Sequence, residues 1–196
     1  VQTCALPILV QANLTGLQTL AAAGKLDQVS FTDAGVPTVT FKAAQFANMA
    51  ALRAQLSNAS LVVSDTAANV ANYAVSAADS VVVKDASVNI LKNFEAMRQL
   101  AANTADVTFT LTNRAPVMEL TAAQYVGSEA LRAKLPSVTF TIKDTALNVR
   151  DNADALAGLQ VSVTDTAANV QSSLEELKSF ADAGKLKMLK VTNAST

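Results

Sequence analysis

The feature that most restricts this chain is an internal period of 80 residues. Residues 10–26 (VQANLTGLQTLAAAGKL), 90–106 (ILKNFEAMRQLAANTAD) and 170–186 (VQSSLEELKSFADAGKL) align without gaps. Apolar residues recur at matched places: Val10, Ile90 and Val170; Leu14, Phe94 and Leu174; Leu17, Met97 and Leu177; Leu20, Leu100 and Phe180. That spacing is one stripe along an amphipathic helix. Gly24 and Gly184, each followed by Lys, end the outer two stripes as glycine ends a helix.

Two further patterns repeat in step. KAAQFANMAALRAQL (42–56) matches TAAQYVGSEALRAKL (121–135) at an offset of 79, with Arg53 opposite Arg132. The phrases VVSDTAANV (62–70), VVKDASVNI (82–90), TIKDTALNV (141–149) and SVTDTAANV (162–170) each carry a β-branched run, an Asp and a helix start. The Asp or Asn closing each β-run falls at Asp33, Asp65, Asp85, Asn113, Asp144, Asp165 and Asn193. The steps are 32, 20 and 28, then 31, 21 and 28, and each triple spans 80. The chain therefore reads as three coils per super-repeat, with units 33–112 and 113–192 and a partial unit 9–32.

Strands joined through helices at this spacing pair in parallel, because the connection must cross back over the sheet. The expected fold is α/β, a parallel strand–helix solenoid with one continuous sheet on one side and helices on the other. Thr38–Phe41 and Val117–Leu120 are expected as extra short strands, set off by turns at Gly35 and Pro37 and at Pro116. The one-residue difference between the units is expected in the Gly35–Pro37 turn. Aromatics make up only 5% and Trp is absent, which suits thin stacked layers of Ala and Val. The stacking is leucine-rich-repeat-like, although Val fills most strand positions and the LxxLxLxxN signature is missing.

Residues 1–8 (VQTCALPI) fall outside this period, which begins at about Leu9. Their codons, read as GTT CAG ACG TGT GCT CTT CCG ATC, resemble the end of a short-read sequencing adapter. They are expected to be a translated artefact that does not pack into the fold, on a fragment of a longer chain. Cys4, the only cysteine, then carries no disulfide, metal or nucleophile argument.

The DTAANV, AGKL and TAAQ phrases resemble tandem arrays in very large secreted or surface proteins of proteobacteria. Such arrays are often described as adhesin-like or calcium-binding, and many are exported by one-step secretion. The resemblance spans residues 9–196. It implies a structural or adhesive repeat segment, secreted or at the bacterial cell surface, whose partners are neighbouring repeats. The alternative is a solenoid recognising a glycan or protein on its sheet face. Net charge is −1, without the basic face that nucleic acid needs. No stretch approaches the roughly 20 apolar residues of a membrane span.

No catalytic constellation is expected. The chain has no His, and no phosphate loop, dinucleotide fingerprint, GxSxG or zinc spacing. Glu175 and Glu176 are adjacent on a helix near Lys178, so they read as a solvated face, whereas paired carboxylates must oppose each other across a cleft. The Asp column is the best candidate site. Asp65, Asp85, Asp144 and Asp165 are candidate calcium ligands, yet one carboxylate per coil supplies few of the oxygens calcium wants. The preferred reading is that each Asp, or the Thr after it, caps the following helix. Asn69, Asn89, Asn148 and Asn169 are expected to bond backbone groups where the chain turns inward. Phe46 and Tyr125 align on a helix stripe and are expected in the core; Tyr73 has no counterpart and is expected at the surface. No cofactor is expected.

Overall fold

A computed structural model of the chain describes residues 2–5, 7–31 and 35–192, leaving out the side chains of 2–5. Asp33 and Asn193 of the Asp/Asn column lie outside the described residues. The chain begins β1 (Gln2–Ala5), α1 (Pro7–Ala12), α2 (Leu14–Ala22) and β2 (Gln28–Phe31). Next come β3 (Thr38–Phe41), α3 (Ala43–Asn48), α4 (Ala50–Gln55), β4 (Ser60–Asp65), α5 (Ala67–Asn72), β5 (Ser80–Asp85), α6 (Ser87–Lys92), α7 (Phe94–Asn103) and β6 (Val107–Leu111). The last part is β7 (Val117–Leu120), α8 (Ala122–Val126), α9 (Glu129–Ala133), β8 (Thr139–Asp144), α10 (Ala146–Asp151), α11 (Ala153–Leu156), β9 (Gln160–Thr166), α12 (Ala167–Ser172), α13 (Leu174–Asp182) and β10 (Leu186–Thr192). Two compact units result, one up to Thr112 and one from Asn113.

All described strand pairs are parallel, and the strands form three sheets ordered β1-β2, β3-β4-β5-β6 and β7-β8-β9-β10. The continuous sheet expected from the sequence is thus corrected to separate short sheets. The two four-stranded sheets start at the extra strands, β3 and β7. They share strand order and nearly the same register, apart from a shift between Leu186 and Met188 in β10. Thr38 lies opposite Ser60 and Val117 opposite Thr139, 22 residues apart in both. Val63 pairs with Val81 and Ile142 with Val161, separations of 18 and 19. Val83 pairs with Phe109 and Val163 with Leu189, 26 apart in both.

The offset between units falls from 80 to 79 across the Gly35–Pro37 turn, only partly described, and returns to 80 later. The compensating residue sits between α5 and β5 in one unit and between α10 and β9 in the other. There Asn152–Leu159 makes room for α11, while Tyr73–Asp79 carries no helix.

The 17-residue stripes do not form single helices. Each copy breaks into two, at Asn13, Asn93 and Ser173, where φ is −121°, −109° and −117° and ψ is 20°, 27° and 17°. Asn13 and Asn93 donate side-chain N–H to the carbonyls of Leu9 and Asn89, at 2.8 and 2.9 Å. Their backbone N–H groups bond the carbonyls three back, Val10 and Ile90, both at 3.1 Å. The side chain thus competes with the backbone for the i−4 carbonyl and bends the helix. At the far end, Gly24 and Gly184 take φ of 65° and 66°. Lys25 N–H then reaches Leu20 O at 2.9 Å and Lys185 N–H reaches Phe180 O at 2.7 Å, the helix stop that the glycines signal.

Inside each unit the inward strand positions and the helix stripes form the core: Val39, Phe41, Val63, Val81, Val83, Ile90 and Met97 in one, Met118, Leu120, Ile142, Val149, Val161, Val163 and Leu177 in the other. Valines on the strands pack against larger side chains such as Phe41, Met97, Met118 and Leu177. Among the described residues, no helix is long and apolar enough to cross a membrane.

The octapeptide does not stand apart as expected. β1 pairs with β2 from Gln2↔Gln28 to Ala5↔Phe31, the same 26-residue separation as β5 with β6. Helix α1 starts at Pro7, where proline's fixed φ and missing N–H cost nothing. A strand position needs only backbone groups for pairing, so this peptide occupies it whatever its origin.

Candidate functional site

The Asp column gathers at the strand ends, and its geometry follows from register. Asp65 pairs with Val83, so Asp85 lies two residues farther along, level with Ala67. Phe41 pairs with Val63, Leu120 with Ile142 and Asp144 with Val163, which sets Asp65 level with Ala43, Asp144 with Ala122, and Asp165 with Ala146. Each of these alanines is the first residue of a helix, with its N–H unclaimed by the helix itself.

Each Asp uses this placement in the same way. Oδ2 of Asp65, Asp85, Asp144 and Asp165 accepts the backbone N–H of Ala43, Ala67, Ala122 and Ala146, at 3.0, 3.1, 2.8 and 2.9 Å. Oδ1 accepts the next residue's N–H: Thr66 at 2.9, Ala86 at 2.8, Thr145 at 2.8 and Thr166 at 2.7 Å. The same oxygen accepts the side-chain amide four residues on, from Asn69, Asn89, Asn148 and Asn169, at 2.9, 2.7, 2.8 and 2.9 Å. A carboxylate at a helix N-terminus also meets the positive end of the helix dipole.

The Thr alternative of the capping expectation holds, while the Asp alternative and the Asn expectation are corrected. The Asp carboxylate satisfies the start of an earlier helix, α3, α5, α8 or α10, rather than the one that follows it. Its own helix is capped by the Thr, whose Oγ1 accepts Asn69 N–H, Asn148 N–H and Asn169 N–H at 3.4, 3.3 and 3.4 Å. The Asn side chains bond Asp Oδ1 rather than backbone, because an amide one turn into the helix faces the carboxylate four residues before it. Ala86 stands where the other coils have Thr, so α6 has no side-chain cap.

Asp65 and Asp165 are buried and Asp85 is half-buried. Burial pushes each of these three carboxyls up, but hydrogen bonds outweigh it and hold all three below the ordinary Asp value. The donors are Asn69, Thr66 and Ala43 for Asp65, and Asn89, Ala86 and Ala67 for Asp85; Asn169, Thr166 and Ala146 serve Asp165. Each oxygen of the four candidate calcium ligands faces N–H donors, which occupy the lone pairs a cation would need. Among the described residues, no three or more His, Cys, Asp or Glu gather as a metal set.

The remaining candidates separate. Phe46 is buried and Tyr125 half-buried, and the repeated arginines explain both. Arg53 lies 4.0 Å from the Phe46 ring centre and Arg132 3.9 Å from that of Tyr125. Each guanidinium folds back over a helix break, and Arg132 Nε donates to the Tyr125 carbonyl at 3.0 Å. This cation–π clamp was visible in the sequence only as a matched Arg pair. Tyr73 is partly exposed and lines a shallow groove of about 270 Å³ with Val70, Val75 and Leu100. Glu175 and Glu176 border an open cleft of about 410 Å³ with Asp154 and Ser179. Lys178 pairs instead with Asp182, at 2.5 Å. Asp154 and Glu176 also border a second cleft of about 420 Å³ beside Arg150 and Asp151, which pair with each other at 2.8 Å.

Comparison with protein-family models, with curated proteins and with solved structures finds no match to this chain.

Proposed function

We propose that this chain is a non-catalytic structural repeat segment, its coils stacked as a solenoid, in a large bacterial secreted or cell-surface protein. One observation carries the reading: the Asp that joins each strand end to the preceding helix recurs in both units with the same partners. A polar group used in the same way at Asp65, Asp85, Asp144 and Asp165 to bind an earlier coil is a stacking device. Repeat proteins built this way depend on nearest-neighbour contacts and give long, stiff supports.

The outward strand positions favour a support over a glycan platform. They carry Thr38, Thr40, Val62, Ser64, Val82, Lys84, Thr108 and Thr110 in one unit, and Val117, Glu119, Thr141, Lys143, Ser162 and Thr164 in the other. Aromatic rings, the usual stacking surface for sugars, do not occupy these positions. Lys143 and Glu119 pair across neighbouring strands at 3.6 Å, as an exposed sheet face does in water.

Antibody raised against the purified chain tests the location. It should label intact producing cells or their culture medium. Labelling that requires cell lysis would overturn the surface reading.

A further inference from the structure

The three copies of the broken helix and its following strand differ in how much of their apolar surface is covered. Leu14 is 4% exposed and Phe94 8%, while Leu174 at the matching position is 58% exposed. On the strand, Val29 is 0% exposed and Phe109 9%, while Leu189 is 41% exposed. Val191, two residues along on the same face, is also open. Burying surfaces of this kind is favourable at about 25 cal/mol per Å², so this patch on α13 and β10 is suited to a partner.

The first copy shows what covers such a patch. There α4 packs against α2, and β3 against α1. Gln11, on α1, acts as a substitute strand: its Oε1 accepts Thr40 N–H at 2.9 Å and its Nε2 donates to Thr40 O at 2.6 Å. Gln18, on α2, accepts Leu52 N–H at the start of α4, at 2.9 Å. The covering element is thus a strand–helix–helix segment, Thr38–Gln55, and both backbone groups of one strand residue are read by a single glutamine.

The third copy keeps the main parts. Gln171 stands at the place of Gln11 and is exposed; Leu91 stands there in the middle copy. Lys178 replaces Gln18 and cannot accept an N–H, so that bond does not carry over.

We infer that the face formed by Gln171, Leu174, Leu189 and Val191 is a docking surface for a strand–helix–helix segment of the Thr38–Gln55 type, from a further repeat. Gln171 would grip the N–H and C=O of the third strand residue, and Leu174 and Leu189 would pack under the second helix. The inference rests on the repeat reading proposed above.

The test compares the 196-residue chain with a form in which residues 34–112 are copied after Asn193. In the extended form, amide exchange at Leu189 and Val191 should slow by about tenfold or more. Leu174→Lys, at an exposed position, should leave the melting point of the 196-residue chain within about a degree and lower that of the extended form by several degrees. Gln171→Leu should speed exchange at the docked Thr40 equivalent. If the added copy folds but β10 exchanges as before and Leu174→Lys is harmless in both forms, the docking surface is wrong while the repeat reading stands. If the added copy stays unfolded, both are wrong.

Discussion

Asp85 accepts the backbone N–H of Ala67 at 3.1 Å, joining the end of one strand to the first residue of the helix before it, 18 residues earlier. The carboxylate's other oxygen holds its own turn through Ala86 and Asn89. One side chain therefore ties two strand–helix segments together. The start of α5 is fully satisfied only when β5 is in register beside it. Hydrogen bonds to a charged acceptor each contribute about 1.5–3 kcal/mol, so this coupling is large on the scale of one coil.

The missing cap on α6 offers a gain. Ala86 has φ −76° and ψ 150°, close to the −72° and 160° of Thr66, which caps α5. Ala86→Thr should therefore raise stability by about 0.5–1 kcal/mol. Thr66→Ala should lower it by a similar amount. Urea unfolding of both variants checks this, and a destabilising Ala86→Thr would mean that the hydroxyl meets something other than Asn89 N–H.

Acid should loosen the ladder. Burial pushes Asp65, Asp85 and Asp165 up, but donors that favour the charged form hold all three below the ordinary Asp pKa. A carboxyl depressed in the folded state contributes its full stability above its unfolded pKa. That stability is lost as pH falls from about 4 through the folded value. Melting points should hold level from pH 7 to about 5 and then fall. A melting point unchanged down to pH 3 would show that these carboxylates are not used as described.

Calcium should have little effect. Oxygens that already accept three N–H donors per carboxylate have few lone pairs left for a cation that takes 6–8 ligands. Melting temperature should move by less than about one degree at millimolar calcium. A rise of many degrees would indicate that the ion binds the folded state and that the ladder opens for it.

Much of the local fold could be read from the sequence, and the reasons for success and failure are physical. Thr38–Phe41 and Val117–Leu120 were recognisable as strands because each is a short apolar alternation set between a Pro and a helix start. Gly24 and Gly184 marked helix ends because a positive φ suits glycine. The breaks at Asn13, Asn93 and Ser173 were hidden, since an apolar stripe continues unchanged through a bend of this size. The end of each sheet was hidden too, because a turn such as that at Pro116 looks alike whether or not the ladder continues through it. The Asp column was found, but its direction was not. Which helix Asp65 serves depends on a register set by strands 22 residues apart, and no local pattern encodes it. The Asn69–Asp65 bond was missed for a simpler reason: Asn was assigned to backbone when a carboxylate lay one helical turn away.

Amide exchange in Asp65→Ala tests the coil-to-coil bond most directly. Ala43 N–H donates to Asp65 Oδ2 at 3.0 Å, 22 residues away in sequence. Removing the carboxylate should cost about 1–3 kcal/mol and speed exchange at Ala43 well beyond the change seen across β3. Thr66, within the same turn as the substitution, should also speed up. If Ala43 exchanges at its original rate while only Thr66 changes, the Asp serves its own turn alone and the coils are not joined through it.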